Sequence, residues 1–475
     1  MTYLQPALWI GGTRVVGAGE TLAVTNPATG KVVASFRGAA SCDVSSAVAA
    51  AETAFEVWRQ TSCIERERVM RRAADEVRAA GEVIAAALVV ENGKPLAEAC
   101  AEVQATAEVL DFYAGEARRS YGRTIPARTQ FGRIATVREP VGVVAAFVPW
   151  NFPAVNLVRK LAPALAAGCT VVAKPAEETP ATGLAIAECL HRAGLTSGAV
   201  NLVYGNPGEI SSALIEALPI VKISFTGSTV VGRQLAGQAG VALKRMTMEL
   251  GGHAPVIVCG DVDVDRAADM AAAAKFRNAG QTCNSASRFY VHRSIYERFI
   301  ERFAANASAV RVGAGMSPET TMGPLSNERR VLAVQALVDD AIARGARLVA
   351  GGRRMSVPGF FFEPTVLADV PAVAEVLKKE PFGPVAPIVP FDEIAEAVSY
   401  ANSTRFGLAG YVLTEHGPTA RRLAAEIRSG VVAVNSFVAA YPETPFGGLG
   451  ESGWGHEGGP EGIEAYLQTR LISEA

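Results

Sequence analysis

The chain has 475 residues, of which 49% are hydrophobic, so it exceeds the size that one hydrophobic core usually organises. Lysine and arginine number 45 against 47 for aspartate and glutamate, and the net charge of −2 provides no basic field for nucleic acid or an anionic membrane. No stretch approaches the roughly 20 apolar residues that span a bilayer, and the amino terminus lacks a signal-peptide pattern. We therefore expect a soluble, cytoplasmic protein that acts on small molecules.

The cysteines give no sign of a disulfide framework or a metal site. They lie at positions 42, 63, 100, 169, 189, 259 and 283. They form no CxxC pair and have no close histidine partners, so we predict neither disulfides nor bound zinc. We expect these cysteines to be reduced thiols, as is usual in the cytosol.

Helical periodicity dominates the first quarter of the chain. Apolar residues recur at helical spacing over 44–58, 65–91 and 98–118. The next segment, 121–140, is rich in arginine and β-branched residues and predicts an exposed ribbon leading into a buried strand at 141–148. Exposed ribbons often contact a second subunit.

Beyond residue 150 the pattern alternates between strand and helix. The predicted elements are strands at 170–174, 200–204 and 221–225, and helices at 180–193, 208–217 and 229–239. A second alternation begins after Gly252 and continues to about residue 434, with a strand at 255–259, a helix at 263–278 and a strand at 288–292. The pattern predicts two α/β domains, the first a doubly wound parallel sheet.

Cys283 is the best candidate nucleophile. Residues 276–288 read FRNAGQTCNSASR, and the residues after the cysteine are small and polar. A helix-to-strand junction here would leave the sulfur approachable and its thiolate stabilised by backbone N–H groups. A buried structural thiol is the alternative interpretation.

Two strand ends carry groups suited to a nucleotide. Strand 221–225 runs into Thr226, Gly227 and Ser228 before a helix, where backbone N–H groups can bind phosphate. Strand 170–174 ends with Lys174 followed by Glu177, which suit ribose hydroxyls, and the carboxylate would repel a 2′-phosphate and favour NAD over NADP. Ordinary turns with solvated charges are the alternative at both places.

Two further motifs offer a base and an amide donor. MELGG places Glu249 between the two α/β halves, where it could act as a general base through water. PWNFP holds Asn151 in a rigid turn, where its amide could stabilise an oxyanion. An exposed glutamate before a turn is the alternative for Glu249.

The motifs together resemble the NAD(P)-dependent aldehyde dehydrogenase superfamily in order and spacing over nearly the whole chain. They are PWNFP, KPAEETP, FTGST, MELGG, FRNAGQTC, KEPFGP and PFGG with SGxGxE. The resemblance implies an α/β fold of the aldehyde dehydrogenase type: a Rossmann-type doubly wound cofactor domain, an α/β catalytic domain and a small β oligomerisation element. It places the NAD-binding domain at 1–120 and 141–250, the catalytic domain at 251–440 and the oligomerisation element at 121–140 and 458–475.

The resemblance also implies residue roles. Cys283 attacks the aldehyde, Asn151 and the Cys283 N–H hold the oxyanion, and Glu249 activates the water that hydrolyses the thioester. The cofactor contacts that it implies are Trp150, Lys174, Glu177, Thr226, Gly227, Ser228, Glu380 and Phe382. The same resemblance leads us to expect a small-molecule aldehyde substrate and a homodimer or homotetramer.

Within the superfamily the sequence looks most similar to the succinate-semialdehyde dehydrogenase branch. Arg159 and Arg277 match the arginines that bind the substrate carboxylate there. The branch has a serine in the loop before PFGG, whereas this chain has Ala440 and Tyr441, and Tyr441 could supply the hydroxyl. Phe437 and Tyr441 could instead line a pocket for a longer or aromatic aldehyde.

Other functions stay open at this point. Glutarate semialdehyde or an uncharged aliphatic or aromatic aldehyde are alternative substrates. A non-catalytic binding protein on the same fold is the alternative from a different class.

Overall fold

Helices and strands alternate along most of the chain in the computed structural model, which describes residues 3–130 and 132–474. The strands are β1 (Leu8–Ile10), β2 (Thr13–Val15), β3 (Thr21–Asn26), β4 (Lys31–Arg37), β5 (Arg123–Ile125), β6 (Arg133–Pro140), β7 (Val143–Phe147), β8 (Thr170–Lys174), β9 (Val200–Leu202), β10 (Ile220–Thr226), β11 (Arg245–Glu249), β12 (Ala254–Val258), β13 (Ala286–His292), β14 (Arg347–Ala350), β15 (Thr365–Ala368), β16 (Val385–Phe391), β17 (Phe406–Gly407), β18 (Ala409–Leu413), β19 (Val431–Val434), β20 (Leu449–Gly450), β21 (Gly453–Trp454) and β22 (Leu467–Glu474).

The helices are α1 (Ser41–Trp58), α2 (Cys63–Ala79), α3 (Gly81–Asn92), α4 (Leu96–Glu116), α5 (Pro153–Ala167), α6 (Pro180–Arg192), α7 (Pro207–Glu216), α8 (Thr229–Val241), α9 (Val264–Phe276), α10 (Tyr296–Ala309), α11 (Glu328–Ala343), α12 (Ile394–Ala401), α13 (Gly417–Glu426) and α14 (Gly459–Glu464). No helix in the described ranges is both long and apolar enough to cross a bilayer.

The first half of the chain, together with β21 from its last part, forms an eight-stranded sheet in the order β2-β1-β9-β8-β7-β10-β11-β21. The five strands from β9 to β11 in this order run parallel, and β1 and β21 join them antiparallel on either side. Every residue of β7 and β8 is buried, as expected for strands covered by helices on both faces. The predicted doubly wound sheet is confirmed.

The second half forms a seven-stranded sheet in the order β14-β15-β16-β13-β12-β18-β19. Its neighbouring strands are parallel except for the β14–β15 pair. Each sheet has its own main hydrophobic core, and the short stretch 250–253 connects β11 of the first sheet to β12 of the second. The predicted α/β architecture with two sheets is therefore confirmed.

A third, antiparallel sheet contains β22, β6 and β5. β22 pairs with β6 over eight residue pairs, from Leu467 opposite Pro140 to Glu474 opposite Arg133. This is the predicted ribbon joined by the end of the chain, and its role in oligomerisation stays a prediction. Four residues that fall within the predicted domain segments, Met1, Thr2, Phe131 and Ala475, lie outside the described residues.

Two of the differences between the structure and the periodicity lie in the first hundred residues. β1 was not predicted, because a three-residue apolar run carries no usable period, and its Trp9 pairs with the distant Leu202. The pattern over 65–91 predicts one helix, but the chain forms α2 and α3, which break at Ala80 before Gly81. The apolar period continues across the break because both helices pack on the same core.

Candidate active site

Four parallel strands place groups from separate motifs along one edge of the first sheet. Lys174 at the end of β8 pairs with Phe147 of β7, which pairs in turn with Phe225 of β10. The final pair between β10 and β11 joins Thr226 to Glu249. The carboxyl ends of parallel strands therefore bring together the predicted nucleotide groups and the predicted base.

Asn151 lies in the turn between β7 and α5, with only 3% of its surface exposed. Its Nδ2 donates to the carbonyl of Gln281 at 3.1 Å, and its Oδ1 accepts from Asn156 Nδ2 at 3.4 Å. These bonds fix the orientation of the amide and leave one Nδ2 hydrogen without a partner among the described residues. Gln281 stands two residues before Cys283, so the amide is tied to the cysteine loop.

A buried ion pair holds the Asn151 turn from behind. Lys94 pairs with Glu102, and their side chains are 0% and 1% exposed. Lys94 Nζ donates to the Asn151 carbonyl at 3.0 Å, while Glu102 accepts from the backbone N–H of Ala154 at 2.9 Å, at the start of α5. The motifs did not predict this pair, because Lys94 lies in the polar stretch ENGKP between two helices, where a solvated charge is the usual interpretation.

The Cys283 loop follows α9 through a tight left-handed turn. Asn278, Ala279 and Gly280 have φ values of 48°, 53° and 71°. A Cβ on Gly280 would lie 2.1 Å from the Gly383 carbonyl oxygen, so only glycine fits there. The cysteine then precedes β13 with its side chain partly exposed, which confirms the predicted helix-to-strand junction.

Glu249 is a buried carboxylate with no hydrogen bond to either oxygen within the described part of the chain. Burial, together with the nearby Glu457, raises its pKa well above the ordinary value. Glu457 itself is paired with the buried Lys160, which also donates to Ser224 Oγ at 3.2 Å. Both carboxylate oxygens of Glu249 are therefore available to accept a proton or a hydrogen bond from a water.

The Cys283 thiol lies in an environment that disfavours its charged form. Burial raises its pKa to about 12, and the carboxylates of Glu249 and Glu380 raise it further than Arg159 lowers it. The thiol is therefore protonated at neutral pH, and its nucleophilic form requires transfer of the proton to a base.

On one side of Cys283 lies a cavity of about 250 Å³. It is lined by six of the residues that we predicted as cofactor contacts: Trp150, Thr226, Gly227, Ser228, Glu380 and Phe382. Arg330, which the motifs did not predict, also lines it and donates to the Phe382 carbonyl at 3.3 Å. The cavity therefore lies between the carboxyl end of β10 in the first sheet and the loop that precedes β16.

Lys174 and Glu177 lie beside this cavity and do not line it. They form an ion pair, and Glu177 accepts from the backbone N–H of Gly205 at 3.2 Å. The β8–β7–β10 pairing places them on the same sheet edge as Ser228.

On the other side of Cys283 lies a second cavity of about 200 Å³, which we call the inner cavity. Arg159 and Arg277 line it, and their guanidinium groups lie 5.5 Å from the ring centre of Phe446 and 5.3 Å from that of Phe152. Neither guanidinium has a hydrogen-bond or ion-pair partner among residues 3–130 and 132–474. Tyr441 is 51% exposed and does not line the inner cavity.

The matches to known proteins agree with this geometry. Residues 15–472 match the aldehyde dehydrogenase family model. A 4-(hydroxymethyl)benzenesulfonate dehydrogenase of Comamonas testosteroni is 47% identical over 99% of this chain and 98% of its own length. The NADP⁺ succinate-semialdehyde dehydrogenase of Escherichia coli is 41% identical, with coverage of 99% and 98%.

A solved structure with the same fold supports the assignment. The succinate-semialdehyde dehydrogenase of Burkholderia pseudomallei superposes with a TM-score of 0.97 at 40% identity, and the match covers 100% of this chain and 98% of that one. The fold and site are those of an aldehyde-oxidising oxidoreductase. The chain belongs to the aldehyde dehydrogenase family, whose members use NAD or NADP.

The cavity beside Ser228 fits a dinucleotide of this kind. Ser228 caps the N-terminus of α8, where backbone N–H groups suit a pyrophosphate. Trp150 and Phe382 form an edge-to-face pair at 5.6 Å between ring centres, and Glu380 supplies an acceptor for ribose hydroxyls. A Cβ on Gly251 would lie 2.8 Å from the Glu380 carboxylate, so a side chain there would crowd this acceptor.

We predict that alkylation of Cys283 by iodoacetamide in the cofactor-free protein accelerates about tenfold per pH unit between about pH 7 and about pH 9, because the thiolate fraction grows tenfold per unit below the pKa. Peptide-resolved mass spectrometry measures the rate, with the exposed Cys42 and Cys100 as internal references. A rate that levels off below about pH 8 would contradict the elevated thiol pKa.

Proposed function

We propose that this chain oxidises an anionic aldehyde to the carboxylic acid with NAD as acceptor, with succinate semialdehyde as the leading candidate substrate. The observation that carries the proposal is the pair of guanidinium groups, Arg159 and Arg277, that line the Cys283 cavity without a protein partner among the described residues. Unpaired guanidinium groups beside a nucleophile suit a substrate that brings its own anion.

In the proposed first step, the Cys283 sulfur bonds to the aldehyde carbon and its proton passes to Glu249. The oxygen becomes the oxyanion of a thiohemiacetal, held by the free Nδ2 hydrogen of Asn151 and the Cys283 backbone N–H. NAD bound in the cavity lined by Trp150, Ser228 and Glu380 would supply the acceptor for the hydride of this carbon. A thioester on Cys283 remains.

In the proposed second step, Glu249 first releases the proton from Cys283 to solvent and then takes a proton from a water that attacks the thioester carbon. The carbon–sulfur bond breaks, the thiolate leaves and is reprotonated, and the carboxylic acid dissociates. The raised pKa of Glu249 means that its basic form increases with pH, so deacylation should accelerate as pH rises.

Glu249→Gln is expected to slow the initial burst of NADH only in part, because water can accept the Cys283 proton in place of Glu249. Steady-state turnover should fall further, by at least about a hundredfold, because the substitution removes the base for hydrolysis. Stopped-flow absorbance at the NADH band separates the phases. Equal loss of burst and turnover would contradict a role in deacylation. Cys283→Ala should abolish both phases; unchanged NADH formation would favour the non-catalytic alternative for this site.

Support for an anionic substrate also comes from two relatives, one named for a sulfonate and one for a semialdehyde with a carboxylate. Both groups are oxyanions that a guanidinium binds through two hydrogen bonds. Glutarate semialdehyde would use the same arginines, whereas butanal or benzaldehyde would leave them unpaired and desolvated.

We predict that kcat/KM for succinate semialdehyde falls about 10- to 100-fold in Arg159→Gln or Arg277→Gln, while kcat/KM for butanal changes less than about threefold. Arg59→Gln is the matched control, because Arg59 also lies over a phenylalanine ring, Phe55, but outside both cavities. Succinate semialdehyde, glutarate semialdehyde, butanal and benzaldehyde form the panel. A wild-type preference for butanal or benzaldehyde would overturn the anionic substrate and leave the aldehyde dehydrogenase activity standing.

The NAD preference rests on Glu177, whose carboxylate would face the 2′-phosphate of NADP. Lys174 offsets part of this charge through their ion pair. The family alone does not decide the cofactor, because one relative is named for NADP⁺.

We predict that NAD is preferred over NADP in kcat/KM and that Glu177→Gln lowers this preference at least about tenfold. Glu178→Gln is the matched control, since Glu178 is the next residue and makes no ion pair in the described part of the chain. Steady-state kinetics with both cofactors at one aldehyde concentration checks this. An unchanged NAD/NADP ratio in Glu177→Gln would exclude Glu177 as its cause.

A further inference from the structure

A third cavity adjoins the inner cavity on the side away from Ser228. It has a volume of about 400 Å³, and we call it the outer cavity. Arg277, Asn284, Phe437 and Val438 line both cavities, so these residues form the passage between the two. Arg159, Glu249 and Cys283 line only the inner one.

Apolar side chains form two walls of the outer cavity where a substrate would pass. Ala273 and Ala274 of α9 form one wall, and their small side chains leave space in the cavity. Met270 lies one turn earlier on the same helix. On the opposite side the Phe437 ring packs on Tyr411 at 5.0 Å between centres, and the Tyr411 hydroxyl donates to the Asn284 carbonyl at 2.6 Å. A flat ring would find an aromatic surface and small alanines at this passage.

The polar side chains of the outer cavity include hydrogen-bond donors, and no carboxylate is present among its described lining residues. Ser436 Oγ accepts from the Val438 N–H at 3.1 Å and therefore keeps its own hydrogen to donate. The Asn284 amide has no hydrogen bond among the described residues, and the Arg277 guanidinium is unpaired. The inner cavity, by contrast, includes Glu249 and Glu457. The outer cavity therefore offers an anion a second place, in addition to the Arg159–Arg277 pair of the inner cavity, where it faces no carboxylate.

We propose that the outer cavity is a binding site for the far end of an elongated anionic substrate, an aromatic aldehyde with a sulfonate or carboxylate para to the aldehyde. The ring lies in the passage against Phe437, and the anion meets Arg277, Asn284 and Ser436. This inference rests on the proposed function of the inner cavity and extends it. A short semialdehyde fills only the inner cavity, whereas a para-substituted ring reaches the outer one.

The test compares 4-formylbenzenesulfonate and 4-formylbenzoate with succinate semialdehyde on the full-length protein. Ala273→Leu and Ala274→Leu fill the outer cavity from α9 with a residue that favours helix. We expect the ratio of kcat/KM for each aromatic anion to that for succinate semialdehyde to fall at least about tenfold. Ala305→Leu, at an exposed position of α10, is the matched control and should leave the ratio unchanged.

Ser436→Ala provides a second test of the outer cavity. The substitution removes a single hydroxyl group, so we expect little effect on folding. It should raise KM for the two aromatic anions about threefold or more and leave KM for benzaldehyde unchanged. An unchanged ratio in both leucine variants, or an equal loss for succinate semialdehyde and the aromatic anions, would overturn the outer site. Failure of the proposed function looks different: Arg159→Gln and Arg277→Gln would then leave succinate semialdehyde turnover intact.

Discussion

The hydrogen bond from Asn151 Nδ2 to the Gln281 carbonyl joins the two halves of the molecule at the reacting centre. Asn151 belongs to a turn of the first sheet, and Gln281 belongs to the loop that leads into the second. Lys94 and Glu102 hold the turn from behind, and the left-handed turn before Gln281 holds the loop. Because both partners are fixed independently, the amide and Cys283 keep one relative position, which oxyanion stabilisation requires.

Burial gives the site its acid–base character. Cys283 and Glu249 both have raised pKa values because each charged form loses water, and Glu457 adds repulsion at Glu249. Lys160 pairs with Glu457 and leaves Glu249 without a partner among the described residues. A carboxylate that is spared an ion pair keeps its proton affinity, which suits a base in a site that must take a proton and later release it.

The arginines connect this chemistry to the choice of substrate. Arg159 faces only the inner cavity, while Arg277 lines the inner and outer cavities together. Ala440 lines the inner cavity without a hydroxyl, and Tyr441 is exposed, so the hydroxyl that Tyr441 could supply is absent from the described lining of the inner cavity. The reacting centre is therefore fixed, while the part of the cavity that receives the rest of the substrate is open toward α9.

The sequence by itself determined the family, the two α/β sheets and the residues around Cys283, because short motifs at strand ends and steady periodicity are local properties. It did not reveal β1, because its partner Leu202 is distant in the chain, or the break at Ala80, because the apolar period continues across it. It did not reveal the Lys94–Glu102 pair either, because the pair is held by contacts with the distant Asn151 turn. It placed Tyr441 as a substrate residue, and only the fold shows that this side chain is exposed. The tertiary structure also decided that Arg277 lies between two cavities, because α9 and the loop at Phe437 are far apart in the chain and meet only in the folded protein.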